Sequence, residues 1–191
     1  MNKEHFFAHD KAIVESQNIG SGTKIWAFTH VLPGAFIGDN CNIGEGCFIE
    51  NDVIIGDNVV VKNSISIWDG VLIEESAFIG PGVVFTNDSL PRSKVFHDAP
   101  MRILIKKGAS IGANATILGG ITIGEYAMIG AGSVVTKDVP DYGLFYGNPA
   151  HQRGWICQCT KKIMYQSNYV KCECGKEYRK LSDGRIELVR G

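Results

Sequence analysis

A large apolar side chain recurs at every sixth position over most of the chain. The series reads Ile13, Ile19, Ile25, Val31, Ile37, Ile43, Ile49, Ile55, Val61, Ile67, Ile73, Ile79 and Phe85. It restarts at Ile105 and continues through Ile111, Ile117, Ile123, Ile129 and Val135. All nineteen positions are large and apolar in a chain that is 45% apolar, an outcome with a chance probability on the order of 10⁻⁷. A period of six is neither the 3.6 of a helix nor the 2 of a plain strand. It specifies a short strand and a turn, repeated. Three such units close a triangular coil, and coils stack into a parallel β-helix. The expected fold class is therefore all-β, a parallel β-helix of about six coils at three hexapeptides each.

The neighbouring positions support this. Two residues before the large one stands a smaller one: Thr23, Thr29, Ala35, Cys41, Cys47, Val53, Val59, Ala77, Ala109, Ala115, Ala127 and Ser133. One residue after it, Gly20, Gly38, Gly44, Gly56, Gly80, Gly112, Gly124 and Gly130 are expected to take the positive φ of tight turns. The chain carries 22 Ile and 15 Val against 8 Leu, and β-branched residues favour strands over helices.

The two series are out of register, because 85 to 105 is not a multiple of six. A loop near residues 86–104, TNDSLPRSKVFHDAPMRIL, must interrupt the coil. Long loops leaving a rigid scaffold commonly carry function. Residues eighteen apart stack in one column, which places Asn51, Asp69 and Asn87 at one corner beneath the loop's exit. If the loop adds fourteen residues, Gly119 and Lys137 continue that corner upward. Turn chemistry alone would also suit Asn and Asp there.

The hexapeptide unit resembles that of the left-handed β-helix acyltransferases, and the left hand is implied by that resemblance. The stretch KKGASIGANATILGGITIGEYAMIGAGSVVTKDVP, followed by GNPA at 147–150, is similar to the coenzyme A end of hexapeptide acetyltransferases. The resemblance implies acetyl-CoA as co-substrate, bound between neighbouring subunits of a homotrimer. It assigns Lys137 to phosphate, Asn148 and Pro149 to adenine, and Gly130, Ala131 and Gly132 to close backbone approach; Gly119, from the column, is the further expected cofactor-binding residue. A narrower match rests on IGSGTKIWAFTHVLPGAFIGDNCNIGEGCFIENDVIIGD, SIWDG and VVFTNDSLPRS. These resemble the nucleotide-sugar 3-amino N-acetyltransferases that serve surface polysaccharide (O-antigen, lipopolysaccharide) synthesis. The implied substrate is UDP-2-acetamido-3-amino-2,3-dideoxy-D-glucuronate, with dTDP-3-amino-3,6-dideoxyhexoses as the alternative. Asn87 is then expected beside the thioester and Asp69 near the sugar amine, as the catalytic pair. Trp68, Glu50, Asn51, His30 and Arg92 are the expected substrate contacts. His97, in the loop, could reach the same site, a surface or structural role being the default for a lone histidine.

The chemistry suits those residue types. A neutral amine attacks the thioester carbonyl, a carboxylate accepts its N–H and orients its lone pair, and an amide donor supports the oxyanion or departing sulfur. A non-catalytic β-helix scaffold accounts for the repeat but for neither the polar column nor the TKDVP and GNPA segments.

From Arg153 the sixfold pattern stops, so the expected division is a β-helix domain over 1–152 and a small β extension over 153–191. The extension holds Cys157, Cys159, Cys172 and Cys174, a C-x-C pair of pairs. Four thiolates could bind a structural zinc tetrahedrally. The one-residue spacing, against the usual two, leaves free thiols as the other reading. Nineteen Lys and Arg balance twenty Asp and Glu, so nothing points to nucleic acid. No apolar run is long enough to span a membrane. The opening residues lack the apolar run of a signal peptide, and the expected location is the cytoplasm.

Overall fold

A computed structural model describes residues 6–95, 101–164 and 167–191. Strands of two to four residues run in a repeating three-face order, each pairing in parallel with the strand one coil away. The first face carries Phe7–Ala8, Lys24–Ile25, Asn42–Ile43, Val60–Val61, Phe78–Ile79, Ser110–Ile111, Met128–Ile129 and Gly143–Tyr146. The second carries Ile13–Val14, His30–Val31, Phe48–Ile49 and Ser66–Ile67, then Val84–Phe85, Thr116–Ile117 and Val134–Val135. The third runs from Asn18–Ile19 to Thr122–Ile123. No helix occurs among the described residues. The solenoid has about seven turns rather than six, because partial rungs at Phe7–Ala8 and Gly143–Tyr146 extend the counted hexapeptides at each end.

From Ile25 to Val135 every sixfold residue is at most 1% exposed. The small positions fill the remaining space. Thr23 and Thr29, fully buried, donate their hydroxyls to the carbonyls of Gly38 and Gly44 at 2.7 Å, which satisfies polar atoms that burial would otherwise leave unpaired. Burial pushes the Cys41 and Cys47 thiols up in pKa, so both are inert core filler.

Two expectations are corrected. Ile13 is 57% exposed, and its neighbour Val14 turns inward and pairs with Val31. The first coil is one residue short. Ser16, 3% exposed, occupies the small inward position and donates to the Ala35 carbonyl at 2.6 Å. The glycines after the large residues do not take positive φ; that conformation falls two positions later, at Gly22, Gly46, Gly82 and Gly132. Gly38 and Gly112 are instead demanded by coil stacking. A Cβ on Gly38 would lie 2.3 Å from Asp57 Oδ1, and one on Gly112 would lie 2.5 Å from the Ala131 nitrogen.

Beyond the last coil, His151–Ile156 turns back antiparallel on Gly143–Tyr146. A three-stranded antiparallel sheet, Tyr169–Lys171, Glu177–Lys180 and Ile186–Arg190, follows. Its small core of Cys157, Ile163, Cys172, Tyr178 and Ile186 docks on the β-helix through Tyr142, whose ring stacks on Tyr126 at 5.9 Å.

Candidate acetyl-transfer site

The loop leaves the scaffold where the column of polar residues stands. Phe85 pairs with Ile117, and Ile117 with Val135. The loop therefore adds the fourteen residues that place Asn87, Gly119 and Lys137 at one corner. Lower down, Ile49 pairs with Ile67 and puts Asn51 beneath Asp69. The second face is split into two ladders between Ser66–Ile67 and Val84–Phe85, so Asp69 and Asn87 follow the two strands that border the break. The loop returns against the same corner: the Met101 amide donates to the Asn87 carbonyl at 3.0 Å, and the third face resumes at Ile103.

Each lower residue of the column also serves its turn. Asn51, exposed, accepts from the Gly34 amide through Oδ1 at 2.9 Å. Asp69, half-buried, accepts from the Asp52 amide through Oδ1 at 2.6 Å. Its own amide donates to Glu50 Oε2 at 2.7 Å. Asp39 and Asp57 make the same bonds at another corner. Asn87 differs: it is half-buried, and its backbone carbonyl takes the bond from the returning loop. Gly119 is held by the Thr86 hydroxyl, which accepts its amide at 3.1 Å. A Cβ at Gly119 would lie 2.8 Å from Met101 Cβ and 3.0 Å from the Thr86 carbonyl.

An outward aromatic ladder leads to this corner. Trp68 meets Phe48 edge-on at 5.9 Å, and Phe48 meets His30 at 5.6 Å. His30 Nε2 lies 3.1 Å from Glu15 Oε2. Carboxylates crowd the corner, with Glu50, Asp52 and Asp69 linked through backbone amides. Arg102 reaches Asp52 at 3.4 Å. Arg92 lies exposed on the loop, bridged to Val95. His97 lies outside the described residues. Arg102 is one of the cations for which the sequence leaves a phosphate or carboxylate partner and plain solvent both open, and its partner here is the Asp52 carboxylate. Sequence reasoning missed Phe48, Asp52, Thr86 and Met101; Phe48 alone carried a signal, standing eighteen residues after His30.

The residues expected to hold the coenzyme are spread across the top of the second face. Lys137 is exposed on the column's corner, whereas Gly130, Ala131 and Gly132 form the preceding corner, across the strand Val134–Val135. Between them the 147–150 turn adds one more rung, because Val134 donates to the Gly147 carbonyl at 3.0 Å and Ala150 to the Val134 carbonyl at 2.8 Å. Asn148 and Pro149, joined by a cis peptide, are exposed on that rung. A Cβ on Gly130 would lie 2.7 Å from Tyr146 Cβ, so packing already requires that glycine. A Cβ on Gly132 would meet nothing within 4 Å, and Gly132 takes φ +67°. Arg153 lies over the Tyr146 ring at 5.5 Å beside this turn, a pair the sequence reading did not single out.

The four cysteines of the extension converge, with all their sulfurs within 4.8 Å of one another. A groove of about 570 Å³ lies elsewhere, between Lys106 and Asp141 of the solenoid and Arg185 and Glu187 of the extension. Among the described residues no helix is long and apolar enough to cross a membrane.

The bacterial transferase hexapeptide (six repeats) family matches residues 18–51 and 102–137, either side of the loop. A dTDP-3-amino-3,6-dideoxy-alpha-D-galactopyranose 3-N-acetyltransferase from Aneurinibacillus thermoaerophilus is 60% identical over 188 residues, 98% of this chain and 97% of that protein. A hexapeptide-repeat acetyltransferase from Vibrio cholerae, solved with acetyl coenzyme A, superposes with a TM-score of 0.56 at 27% identity, covering 64% of this chain and 70% of that one. A mutant N-acyltransferase from Bacillus cereus, solved with dTDP and coenzyme A, has a TM-score of 0.53 at 18% identity over 77% and 79% of the two chains, a likeness of fold alone. The interrupted solenoid and near full-length kinship agree: this chain belongs to the hexapeptide-repeat family and is one of its acetyltransferases.

Proposed function

We propose that the protein transfers the acetyl group of acetyl-CoA to the 3-amino group of a dTDP-3-amino-3,6-dideoxyhexose. The observation that carries this is the corner where the loop leaves, with Asp69 and Asn87 in the turns that follow the two strands bordering a break in the hydrogen-bond ladder. The 60% identical relative bears the name of that activity. A 6-deoxy sugar also suits the local charge. Glu50, Asp52 and Asp69 make the corner acidic, and Arg102 is already paired with Asp52. A uronate would bring a further negative charge against them, which favours the deoxyhexose over the glucuronate that the sequence motifs implied.

In this reading Asp69 accepts a hydrogen bond from the neutral amine and aims its lone pair at the thioester carbonyl carbon. The C–N bond forms, the carbonyl electrons pass to oxygen and return, and the C–S bond breaks to release coenzyme A thiolate. The proton lost from nitrogen passes to the thiolate or to water. Asn87 donates to the oxyanion or the sulfur. Trp68 and Phe48 offer faces for the nucleotide or sugar, with His30, Glu50, Asn51 and Arg92 around them. Lys137, Asn148 and Pro149 hold the coenzyme's distal half at the top of the second face. Holding both substrates in attack geometry supplies much of the rate.

The corner lies between the second and third faces. The third face presents Phe36, Ile54, Leu72 and Leu104 outward in one register, with Phe36 47% and Ile54 45% exposed. An apolar ladder of this kind suits burial between copies. A homotrimer would cover it and give the groove its second wall. The test is product formation by mass spectrometry with dTDP-3-amino-3,6-dideoxygalactose, its glucose-configured epimer and the UDP-3-amino uronate side by side. Preference for the uronate would overturn the substrate assignment, and no acetylation of any 3-amino sugar nucleotide would overturn the reading itself.

A further inference from the structure

We infer that Cys157, Cys159, Cys172 and Cys174 form a structural zinc site that staples the C-terminal sheet. The sequence spacing left zinc and free thiols both open; the geometry favours zinc through three observations. The first is that the two C-x-C segments are one turn built twice. The Cys157 amide donates to the Lys161 carbonyl at 2.9 Å, and the Cys172 amide to the Lys176 carbonyl at 2.8 Å. Thr160 donates back to the Cys157 carbonyl and Gly175 to that of Cys172, each at 2.8 Å. The last residue of both turns is left-handed, Thr160 at φ +69° and Gly175 at φ +97°. A β-branched residue is disfavoured there, so the turn shape is imposed against local preference. Lys161 of one turn is ion-paired with Glu173 of the other.

The second observation is the sulfur geometry. Cys157 and Cys174 approach to 3.5 Å, as do Cys159 and Cys172, and the whole set lies within 4.8 Å. Tetrahedral zinc with Zn–S bonds of about 2.3 Å sets its sulfurs about 3.8 Å apart. Four thiolates are a full ligand set, with no open position for substrate, as in structural sites. An outer partner is also in place. The fully buried Tyr178 donates its hydroxyl to Cys157 Sγ at 3.1 Å and accepts the Gln158 amide at 3.2 Å. Such contacts orient metal ligands.

The third is a deficit of core. Apart from the cysteines, the described residues of the extension bury only Ile156, Ile163, Tyr178 and Ile186. A module that small seldom holds together on apolar packing alone and usually carries a disulfide or metal staple. Its six-residue strand His151–Ile156 runs directly into Cys157. A metal there would tie the sheet to the last rung of the solenoid.

The experiment is metal analysis of the full chain, expressed in zinc-replete medium and purified without chelator. One zinc per chain is expected. Cobalt(II) exchanged into the site should give the intense d–d bands of tetrahedral thiolate coordination. Cys174→Ser, at the exposed ligand, should lose tightly bound zinc while the solenoid's circular dichroism persists. Tyr178→Phe should weaken zinc about 10–100-fold, and Cys41→Ala should leave stoichiometry unchanged. Metal-free protein, a mass showing disulfides among the four cysteines, or full zinc occupancy in Cys159→Ser/Cys174→Ser would each overturn the site; iron in place of zinc would overturn the metal's identity.

Discussion

Asp69 is the residue at which a structural role and a catalytic one can be separated by substitution. Its Oδ1 accepts the Asp52 amide at 2.6 Å in a half-buried turn. Asp69→Asn keeps an oxygen on that N–H, so unfolding free energy should change by less than about 1 kcal/mol. Asp69→Ala removes the acceptor and should cost about 1–2 kcal/mol. Catalysis should sort differently. Both variants lose the carboxylate proposed to accept from the sugar amine, and turnover should fall about 10²–10⁴-fold in each, a barrier increase of about 3–5 kcal/mol. The deficit against wild type should widen as pH falls, because more of the amine then arrives protonated and must shed a proton to attack. The assays are steady-state turnover across pH, with coenzyme binding by calorimetry and unfolding by denaturant. Intact coenzyme binding with lost turnover in Asp69→Asn supports the assignment. Near wild-type turnover in Asp69→Asn, with only a stability loss in Asp69→Ala, would reduce the aspartate to a turn residue like Asp39 and Asp57.

Asn87→Ala should lower turnover roughly 10²–10³-fold, as loss of an oxyanion donor does, with little change in coenzyme binding; unchanged turnover places the oxyanion elsewhere. Lys137→Ala should raise KM for acetyl-CoA and leave that for the sugar nucleotide unaltered, read from two-substrate kinetics. Ile117→Ala should destabilise by about 2–5 kcal/mol in denaturant unfolding, since Ile117 is fully buried in a core one side chain wide; exposed Lys162→Ala should do little. Light scattering should return three chains per particle, and Ile54→Glu on the third face should shift that to one chain and abolish turnover; a wild-type monomer would refute the shared groove.

Much of this molecule is legible from one dimension because its interior is nearly one-dimensional. Each inward position meets only the coils above and below, so a sixfold count finds Ile25 through Val135 without knowledge of the fold's shape. The count in sixes breaks at the loop, and Phe85 pairs with Ile117 only once fourteen inserted residues are allowed for, after which the order of the three faces resumes. The count fails where two apolar residues stand side by side. Ile13 and Val14 both satisfy a hydrophobic pattern, and only the buried Ser16, one residue early, reveals that the coil has slipped. The glycines misled for a related reason. A tight turn and a close coil contact both exclude a side chain, and only the backbone of Gly38 and Gly112 tells them apart.

At the site, phase decides more than motif. Gly130 follows an inward residue by one, Lys137 by two, and their inward residues lie on different faces: Ile129 on the first, Val135 on the second. Counting in sixes therefore assigns them to different corners, although the coenzyme motif reads as one continuous stretch. A ligand touching both must lie across the second face, over Thr116 and Val134, rather than along a single edge. Val134 is also the residue that grips the 147–150 turn from both sides. Its backbone thus holds Asn148 and Pro149 above the same strip that its side chain helps to floor. On the proposed coenzyme site, both the ligand's path and the rigidity of its far end would depend on one strand. Substitutions at Val134 that preserve β geometry, such as Val134→Thr, should be tolerated better than Val134→Gly, with KM for acetyl-CoA as the readout. Equal KM values for the two variants would detach the turn from coenzyme binding.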